Sequence, residues 1–421
     1  MVVAETLPSG LRLVTESMPH VRSVTAGVWV TRGSRHEADA ESGVAHFIEH
    51  MLFKGTTTRS AQDIAQTIDS IGGQLDAFTA KEHASYYIKV LDEHMQIAMD
   101  LLSDMVLRPA LAPGEITKEQ SVILEEIKMV EDAPDDLVHE MFSQRFWAKH
   151  PLGRPILGTA DTISSFLPDG LRDYFARTYV APNVVIAAAG HLEHERLRDM
   201  VGKAFGSLPT RKPTDITEPP AVTPGLAERR KDIEQSHICV GTPAYPQAHT
   251  ERHAVYVLNT ILGGSMSSRL FQHIREERGL AYAVFSNLTT YSDAGTITVY
   301  AGCANDKVAE VIELTLAELR QLRDYEVPPE ELRRAKDHLK GSLMLSLENT
   351  SSRMAHLARQ ELYFGRHFTL DETLVSIESV TGEDVQRVAV DLFRDSGLVA
   401  TVVGPKGASP LTEDRLKISV S

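Results

Sequence analysis

The order of predicted strands and helices in the first half of the chain recurs in the second half, and this repetition limits the folds open to the sequence. Residues 208–224, LPTRKPTDITEPPAVTP, separate the halves; they are rich in Pro and Thr and lack an apolar period, as expected of an extended linker. Each half begins with a strand and a helix, continues with two strands and long helices, and ends with an apolar strand. The sequence therefore predicts an internal duplication, with domains at 1–210 and 226–421 joined by a linker at 211–225.

Local signals predict individual elements of the first half. A helix over residues 61–71 can be capped by Ser60 and ended by Gly72. The segments GQLDAFTA and ASYYIKV alternate in polarity and are rich in aromatic or β-branched residues, which predicts a hairpin. Residues 114–132 have a helical pattern.

The pentapeptide HFIEH carries the sharpest chemical signal. On a helix that turns about 100° per residue, His46 and His50 lie some 40° apart on one face and can share a metal ion. Glu49 lies about 60° to the other side of His46, where it can act as general base on a metal-bound water without occupying the metal. This is the inverted form of the commoner HExxH arrangement.

A third ligand must come from another element, because a catalytic zinc usually takes three protein ligands. The predicted helix over residues 114–132 carries Glu119 and Glu126 seven residues apart on one face. Glu125 points about 100° away from Glu126 and is expected to face solvent. Spacing alone leaves Glu119 and Glu126 as alternatives.

A lone HxxEH also arises by chance on helices that bind no metal. Here the helix is apolar nearly all round, so it should be buried. Buried His and Glu side chains without partners are costly, and one divalent cation would satisfy all of them together. The surroundings therefore favour a metal site.

These residues resemble the pitrilysin and insulinase family of inverted-motif zinc peptidases, most closely its mitochondrial processing peptidase-like bacterial branch. GVAHFIEHMLFKGT is similar to the family's zinc helix, and the likeness covers essentially the whole chain. The 75 residues between His50 and Glu126 agree with the family's spacing to its third ligand. The resemblance therefore implies one Zn²⁺ per chain, bound by His46, His50 and Glu126, with Glu119 as a supporting carboxylate.

Two further segments gain a role from the resemblance. RLFQHIREERGLAYAVFS is similar to the family segment in which an Arg and a Tyr, here Arg275 and Tyr282, hold the substrate and stabilise the oxyanion. GGQLDAFTAKEHASYY is similar to the family's edge strand, which pairs with an extended peptide through main-chain hydrogen bonds. Asp76 stands where this branch often has Asn. The substrate-binding residues implied are Asp76, Ala77, Phe78 and Thr79.

The resemblance also implies the fold and the activity. We expect an α+β fold of two homologous αβ domains, each a mainly antiparallel sheet with helices packed on it. A homodimer, or a heterodimer with a homologous subunit, would close around an internal chamber, and Arg275 and Tyr282 would act in cis or in trans. The activity implied is that of a zinc metalloendopeptidase that hydrolyses peptide bonds in unfolded peptides or short protein segments, with Glu49 as general base.

Alignment of the two halves predicts one active site per chain. The residues that fall opposite His46, Glu49, His50 and Glu126 are, in that order, Val255, Leu258, Asn259 and Gly341. Val255, Asn259 and Gly341 lack the imidazole or carboxylate of the zinc ligand that each faces, and Leu258 cannot act as a base in place of Glu49.

Composition excludes several other classes. The formal charge of −15 argues against nucleic acid as a partner. No stretch approaches the roughly 20 apolar residues that cross a bilayer, and no signal peptide is visible. Two cysteines exclude a disulfide framework and a cysteine metal cluster, so we expect a cytoplasmic protein. The alternative functions are a catalytically silent subunit or peptide-binding scaffold, and a zinc hydrolase of non-peptide amides.

Overall fold

The structure is a computed structural model and describes residues 2–211, 218–405 and 415–419. These residues form two sheets and two compact units. The first unit consists of Met1–Lys128, Arg154–Thr217 and Leu345–His367, and the second consists of Met129–Gly153, Glu218–Met344 and Phe368–Ser421. Each unit has a sheet and a hydrophobic core of its own.

Eleven strands occur in the described residues. In chain order they are β1 (Val2–Thr6), β2 (Arg12–Ser17), β3 (Ser23–Val30), β4 (Gln74–Thr79), β5 (Ala84–Leu91), β6 (Val184–Gly190), β7 (Gly225–Arg230), β8 (Gln235–Ala244), β9 (Ala281–Thr290), β10 (Gly295–Ala304) and β11 (Val399–Gly404). The first sheet has the order β1-β2-β6-β3-β5-β4 and the second has the order β7-β11-β8-β10-β9.

Fourteen α-helices occur in the same residues. They are α1 (Val44–Leu52), α2 (Ala61–Ser70), α3 (Met95–Leu107), α4 (Pro113–Asp132), α5 (Pro134–Phe146), α6 (Ala160–Ser165), α7 (Pro168–Thr178), α8 (His194–Phe205), α9 (Arg252–Leu262), α10 (Val308–Asp324), α11 (Pro329–Ser346), α12 (Thr350–Phe364), α13 (Leu370–Glu378) and α14 (Gly382–Leu392). Among the described residues, no helix combines the length and the apolar character needed to cross a bilayer.

The two sheets correspond strand for strand once β1 is set aside. In the first sheet β2 and β6 are parallel and the other neighbours are antiparallel. In the second sheet β7 and β11 are parallel and the other neighbours are antiparallel. The same order and the same strand directions confirm the predicted α+β class and the internal duplication.

Several local predictions agree with the structure. The Ser60 side chain accepts a hydrogen bond from the Asp63 N–H and caps α2, and Gly72 follows that helix with φ +59°. Strands β4 and β5 form the predicted antiparallel hairpin, with Asp76 opposite Tyr87. Strand β6 is buried along its whole length, which fits its continuous run of apolar residues at the centre of the sheet.

The compact units are not continuous segments of the chain, because each contains a helix from the other half of the sequence. Helix α12 belongs to the first unit, where Met354 and Leu357 pack with Trp29 and Val185. Helix α5 belongs to the second unit, where its apolar residues pack on β8, β10 and β11.

The predicted domains, 1–210 and 226–421, differ from these units by this exchange. Each sheet has a second apolar face, and an apolar face must be covered by another layer of structure. The alternation of residues along a strand shows that such a face exists. It does not show which helix of the chain covers it.

Candidate metal centre

Helix α1 is held at its N-terminus by a carboxylate from outside the helix. Gly43 precedes α1 with φ +94°, and the backbone N–H groups of Gly43 and Ala45 both donate to the Glu37 carboxylate at 2.8 Å. A Cβ at Gly43 would lie 2.8 Å from the Leu157 carbonyl oxygen, so only glycine fits there. The side chains that anchor α1 in the core are Phe47, Ile48, Met51 and Leu52.

Ligand atoms of His46, His50 and Glu126 lie within 4.8 Å of one another. Nε2 of His46 is 3.7 Å from Oε2 of Glu126, and Nε2 of His50 is 3.6 Å from Oε1 of the same carboxylate. Helix α4 carries Glu126 and is anchored by the buried side chains of Ile116 and Ile123. Of the two carboxylates that spacing left open, Glu126 is the one that faces both Nε2 atoms.

The donor set fits a zinc ion. Two ligands about 2.1 Å from a tetrahedral zinc lie about 3.4 Å apart, close to the observed 3.6 and 3.7 Å. These separations are too long for direct hydrogen bonds between the groups. Burial, assisted by the neighbouring His50, lowers the pKa of His46 to about 4, which keeps the imidazole in the neutral form that binds metals.

Glu119 contacts the His50 ring at Nδ1, the nitrogen that does not face Glu126. Its Oε2 is 3.0 Å from Nδ1 of His50, and its Oε1 is 2.8 Å from Nζ of Lys54. The Glu119 side chain is only 3% exposed. This carboxylate therefore orients the His50 ring, with Nδ1 as the donor and Nε2 free to bind a metal. Nδ1 of His46, in contrast, is buried and has no hydrogen-bond partner among the described residues.

Glu49 lies beside the candidate ligands and is held by a residue of the β4–β5 hairpin. The Thr79 hydroxyl, at the end of β4, donates to Oε2 of Glu49 at 2.5 Å. Burial raises the pKa of Glu49, and the Thr79 hydrogen bond and the nearby His50 oppose that rise. A carboxyl group with a raised pKa is suited to accept and return a proton near neutral pH.

Strand β4 forms an edge of the first sheet, and among the described strands it pairs only with β5. Its residues alternate between half-buried and exposed. The exposed Asp76 accepts a hydrogen bond from the Tyr87 hydroxyl at 2.9 Å, and Phe78 contacts Trp29 with their ring centroids 5.5 Å apart. Ala77 packs against the core. As far as the described strands show, the outer backbone edge of β4 is thus open to another extended segment.

Arg275 and Tyr282 lie together in the second unit. The Arg275 guanidinium stands over the Tyr282 ring at 5.3 Å and over the Phe271 ring at 4.7 Å. A π-helical segment, Phe271–Glu276, carries Arg275, and β9 carries Tyr282. Tyr282 is 80% exposed. Both polar groups can therefore reach a ligand, and their role in stabilising an oxyanion stays a prediction.

The second unit does not repeat the metal centre in the described residues. Val255 and Leu258 on α9 are buried in its core, and the Asn259 carbonyl accepts a hydrogen bond from the Ser286 hydroxyl. Within the described part of the chain, His46, His50 and Glu126 are the one group of three or more potential ligands. This agrees with a single metal centre per chain.

Sequence reasoning did not single out Glu37 or Lys54. Glu37 caps α1 across a loop, and burial raises the pKa of its carboxyl to about 7. Lys54 lies two residues beyond the end of α1 and forms an ion pair with Glu119. A lysine two residues beyond a helix end is a weak signal, and Glu37 gave none, because its partners are backbone groups.

The fold is a duplicated αβ fold, and its first unit brings the two His of an HxxEH motif close to a carboxylate. These are features of the inverted-motif zinc peptidases. The chain belongs to the insulinase family, peptidase family M16. The family's own model matches residues 12–160, and the model described as peptidase M16 inactive domain matches residues 166–339.

Relatives match the chain over nearly its full length. The uncharacterized zinc protease YmxG of Bacillus subtilis is 44% identical over 97% of this chain and 100% of its own length. An uncharacterized zinc protease of Mycobacterium leprae is 41% identical over 100% of this chain and 95% of its own. The relatives' names therefore point to a zinc metallopeptidase.

Solved structures show the same fold. A crystal structure from Pseudomonas fluorescens, described as peptidase M16 inactive domain, has a TM-score of 0.91 at 21% identity and covers 97% of this chain and 100% of its own. A protease from Helicobacter pylori also has a TM-score of 0.91, at 22% identity, over 96% of this chain and 100% of its own.

Proposed function

We propose that this chain is a zinc-dependent endopeptidase that hydrolyses peptide bonds in unfolded peptides or short protein segments. The observation that carries the proposal is the convergence of His46, His50 and Glu126 on one point beside α1. The relatives named zinc proteases support the choice of metal and of reaction class.

His46, His50 and Glu126 would hold the zinc ion. When bound, zinc supplies a positive charge that polarises a carbonyl oxygen and lowers the pKa of a water molecule. Glu49 takes a proton from the attacking water and later returns it to the leaving amine. Its raised pKa favours this double role, because the carboxyl group must be both a base and an acid within one turnover.

The open edge of β4 supports a peptide as the substrate. An extended segment can add to this edge through main-chain hydrogen bonds, with its side chains alternating between the two faces of the sheet. This mode of binding tolerates varied sequence and requires an unfolded segment. Asp76, Ala77, Phe78 and Thr79 would line the bound peptide.

Arg275 and Tyr282 would donate hydrogen bonds to the oxyanion of the tetrahedral intermediate. They would belong either to the same chain as the zinc site or to a partner. A dimer closed around an internal chamber, formed with a second copy or a homologous subunit, is part of the proposal and rests on the family resemblance.

Replacement of Glu49 by Gln tests the proposal most directly. The variant keeps the three candidate ligands, so we expect about one zinc per chain, as in the wild type. Turnover of internally quenched peptides should fall by about 100-fold or more, since general-base catalysis commonly contributes that much. Metal analysis and peptide hydrolysis would be measured on the same preparations, with Glu125→Gln, on the exposed face of α4, as a matched charge-removing control. An active Glu49→Gln variant would show that the base is misassigned.

A catalytically silent member of the family is the second candidate, because residues 166–339 match a model described as an inactive domain. In the described residues that match lies outside the metal centre, which belongs to the part matched by the insulinase model. Zinc-loaded wild type that binds unfolded peptides without cleaving any of them would favour the hypothesis of a catalytically silent protein. Cleavage of small amides and not of peptides would favour a non-peptide hydrolase.

A further inference from the structure

The hydrogen bond between Thr79 and Glu49 links the strand proposed to bind substrate to the residue proposed as base. We propose that Thr79 is a positioning residue for Glu49, whose hydroxyl fixes the carboxylate and leaves Oε1 as the proton acceptor. The catalytic part of this inference rests on the proposed function. The structural part rests on the 2.5 Å contact between Thr79 Oγ1 and Glu49 Oε2.

Thr79 precedes a turn that is held by backbone hydrogen bonds on two sides. The Ala80 N–H donates to the His83 carbonyl at 2.8 Å and closes the hairpin. The Ala80 carbonyl accepts the Ser34 N–H at 3.2 Å, and the Lys81 carbonyl accepts the Arg35 N–H at 2.8 Å. The turn therefore has backbone partners in the hairpin and in the segment after β3.

The segment after β3 runs unusually close to this turn. A Cβ on Gly33 would lie 2.2 Å from the Ala80 carbonyl oxygen and 2.6 Å from the His83 nitrogen, so only glycine allows the approach. Because Thr is stiff about χ1, a fixed backbone at Thr79 also fixes the direction of its hydroxyl. The hydroxyl is thus a rigid donor for the Glu49 carboxylate.

A rigid donor is useful to a base on a helix. The Glu49 side chain has three rotatable bonds, and without a partner its carboxylate could turn away from the reacting water. The Thr79 hydrogen bond occupies Oε2 and restricts the carboxylate to one orientation. Because Thr79 is also the last residue of β4, the same strand would then set the position of both the peptide and the base.

The opposing explanation is that the Thr79 hydroxyl only satisfies a buried polar atom and that its methyl group fills space. Two substitutions separate these explanations. Thr79→Val keeps the shape and removes the donor, whereas Thr79→Ser keeps the donor and removes a methyl group. If Thr79 has only a packing role, the Ser variant should lose more activity than the Val variant. If Thr79 positions Glu49, the Val variant should lose more.

The experiment compares kcat, KM and zinc content for wild type, Thr79→Val and Thr79→Ser on quenched peptides. We expect kcat of the Val variant to fall about 10- to 100-fold, since misplacement of a catalytic group by an ångström has an effect of this size. KM and the zinc content should stay near the wild-type values, and the Ser variant should keep most of its kcat. A Val variant with wild-type kcat, or a Ser variant that loses as much, would overturn the proposal.

A double variant and a structural readout complete the test. In the Glu49→Gln background, Thr79→Val should lower the residual turnover little, because the effect passes through the Glu49 carboxylate. An equal loss in both backgrounds would show that Thr79 acts elsewhere.

Crystal structures of the two single variants give a readout that does not depend on activity. We expect the Glu49 carboxylate to keep its orientation in the Ser variant and to rotate or divide between orientations in the Val variant. An unchanged carboxylate in the Val variant would refute the positioning role even if the protein cleaved no peptide. Absence of peptide cleavage by the wild type would, separately, refute the proposed function.

Discussion

Replacement of Glu119 by Gln should weaken zinc binding without removing a zinc ligand. The carboxylate accepts the His50 Nδ1 hydrogen bond at 3.0 Å and pairs with Lys54 at 2.8 Å, and its side chain is 3% exposed. Gln has nearly the same shape, so the packing of α4 is kept. It has no charge, and its single amide oxygen can accept from one of these two donors, while its NH₂ group faces the other.

The expected loss follows from the hydrogen bond that orients His50. A buried carboxylate on Nδ1 fixes the orientation of the ring and holds Nε2 toward the metal. Loss of such a partner commonly costs about 10- to 100-fold in metal affinity, equivalent to about 1.4–2.7 kcal/mol. Lys54 is one-third exposed, so after the substitution its ammonium group can turn to water and adds little to the cost.

Competition with a chromophoric chelator would measure the zinc affinity of wild type, Glu119→Gln and Glu125→Gln. Glu125 lies on the same helix, its side chain is 69% exposed and it pairs with Lys128 at 2.7 Å, so its substitution controls for the loss of one negative charge from α4. We expect the control to bind zinc like the wild type. Unchanged affinity in Glu119→Gln, or equal weakening in both variants, would refute the reasoning. At saturating zinc, a loss of kcat beyond about 100-fold would instead assign Glu119 a direct part in the reaction.

Two further predictions concern Glu37 and Tyr282. Burial raises the folded-state pKa of Glu37 to about 7 from 4.5, so the folded protein keeps a proton that the unfolded chain releases between these pH values. The contribution of Glu37 to stability is thus present below pH 4.5 and declines by about 3 kcal/mol as the pH rises to 7. The thermal midpoint of the metal-free wild type should therefore fall relative to that of metal-free Glu37→Gln from pH 5 through pH 6 to pH 7. A constant difference between the two midpoints would contradict this. Tyr282→Phe should lower kcat about 100-fold, as for other oxyanion donors, with an unchanged thermal midpoint because the hydroxyl is exposed; a wild-type kcat would remove Tyr282 from the mechanism.

Sequence patterns were sufficient where the signal was local. The spacing of His46, Glu49 and His50 places them on one side of a helix whatever surrounds it, because a helix repeats every 3.6 residues. The Ser60 cap, the β4–β5 hairpin and the repeated order of elements are also set by neighbours along the chain. The duplicated α+β fold could be predicted for that reason.

Tertiary structure decided which distant groups meet. Glu119 and Glu126 share one face of α4, and the tertiary structure places Glu126 opposite both Nε2 atoms and Glu119 beside Nδ1 of His50. The exchange of α5 and α12 between the units could not be predicted from the sequence either, because an apolar face does not specify the helix that covers it. The Thr79 hydrogen bond to Glu49 depends on a turn clamped by the segment after β3. Periodicity determines the direction of each side chain from its own element, and only packing between elements determines its partner.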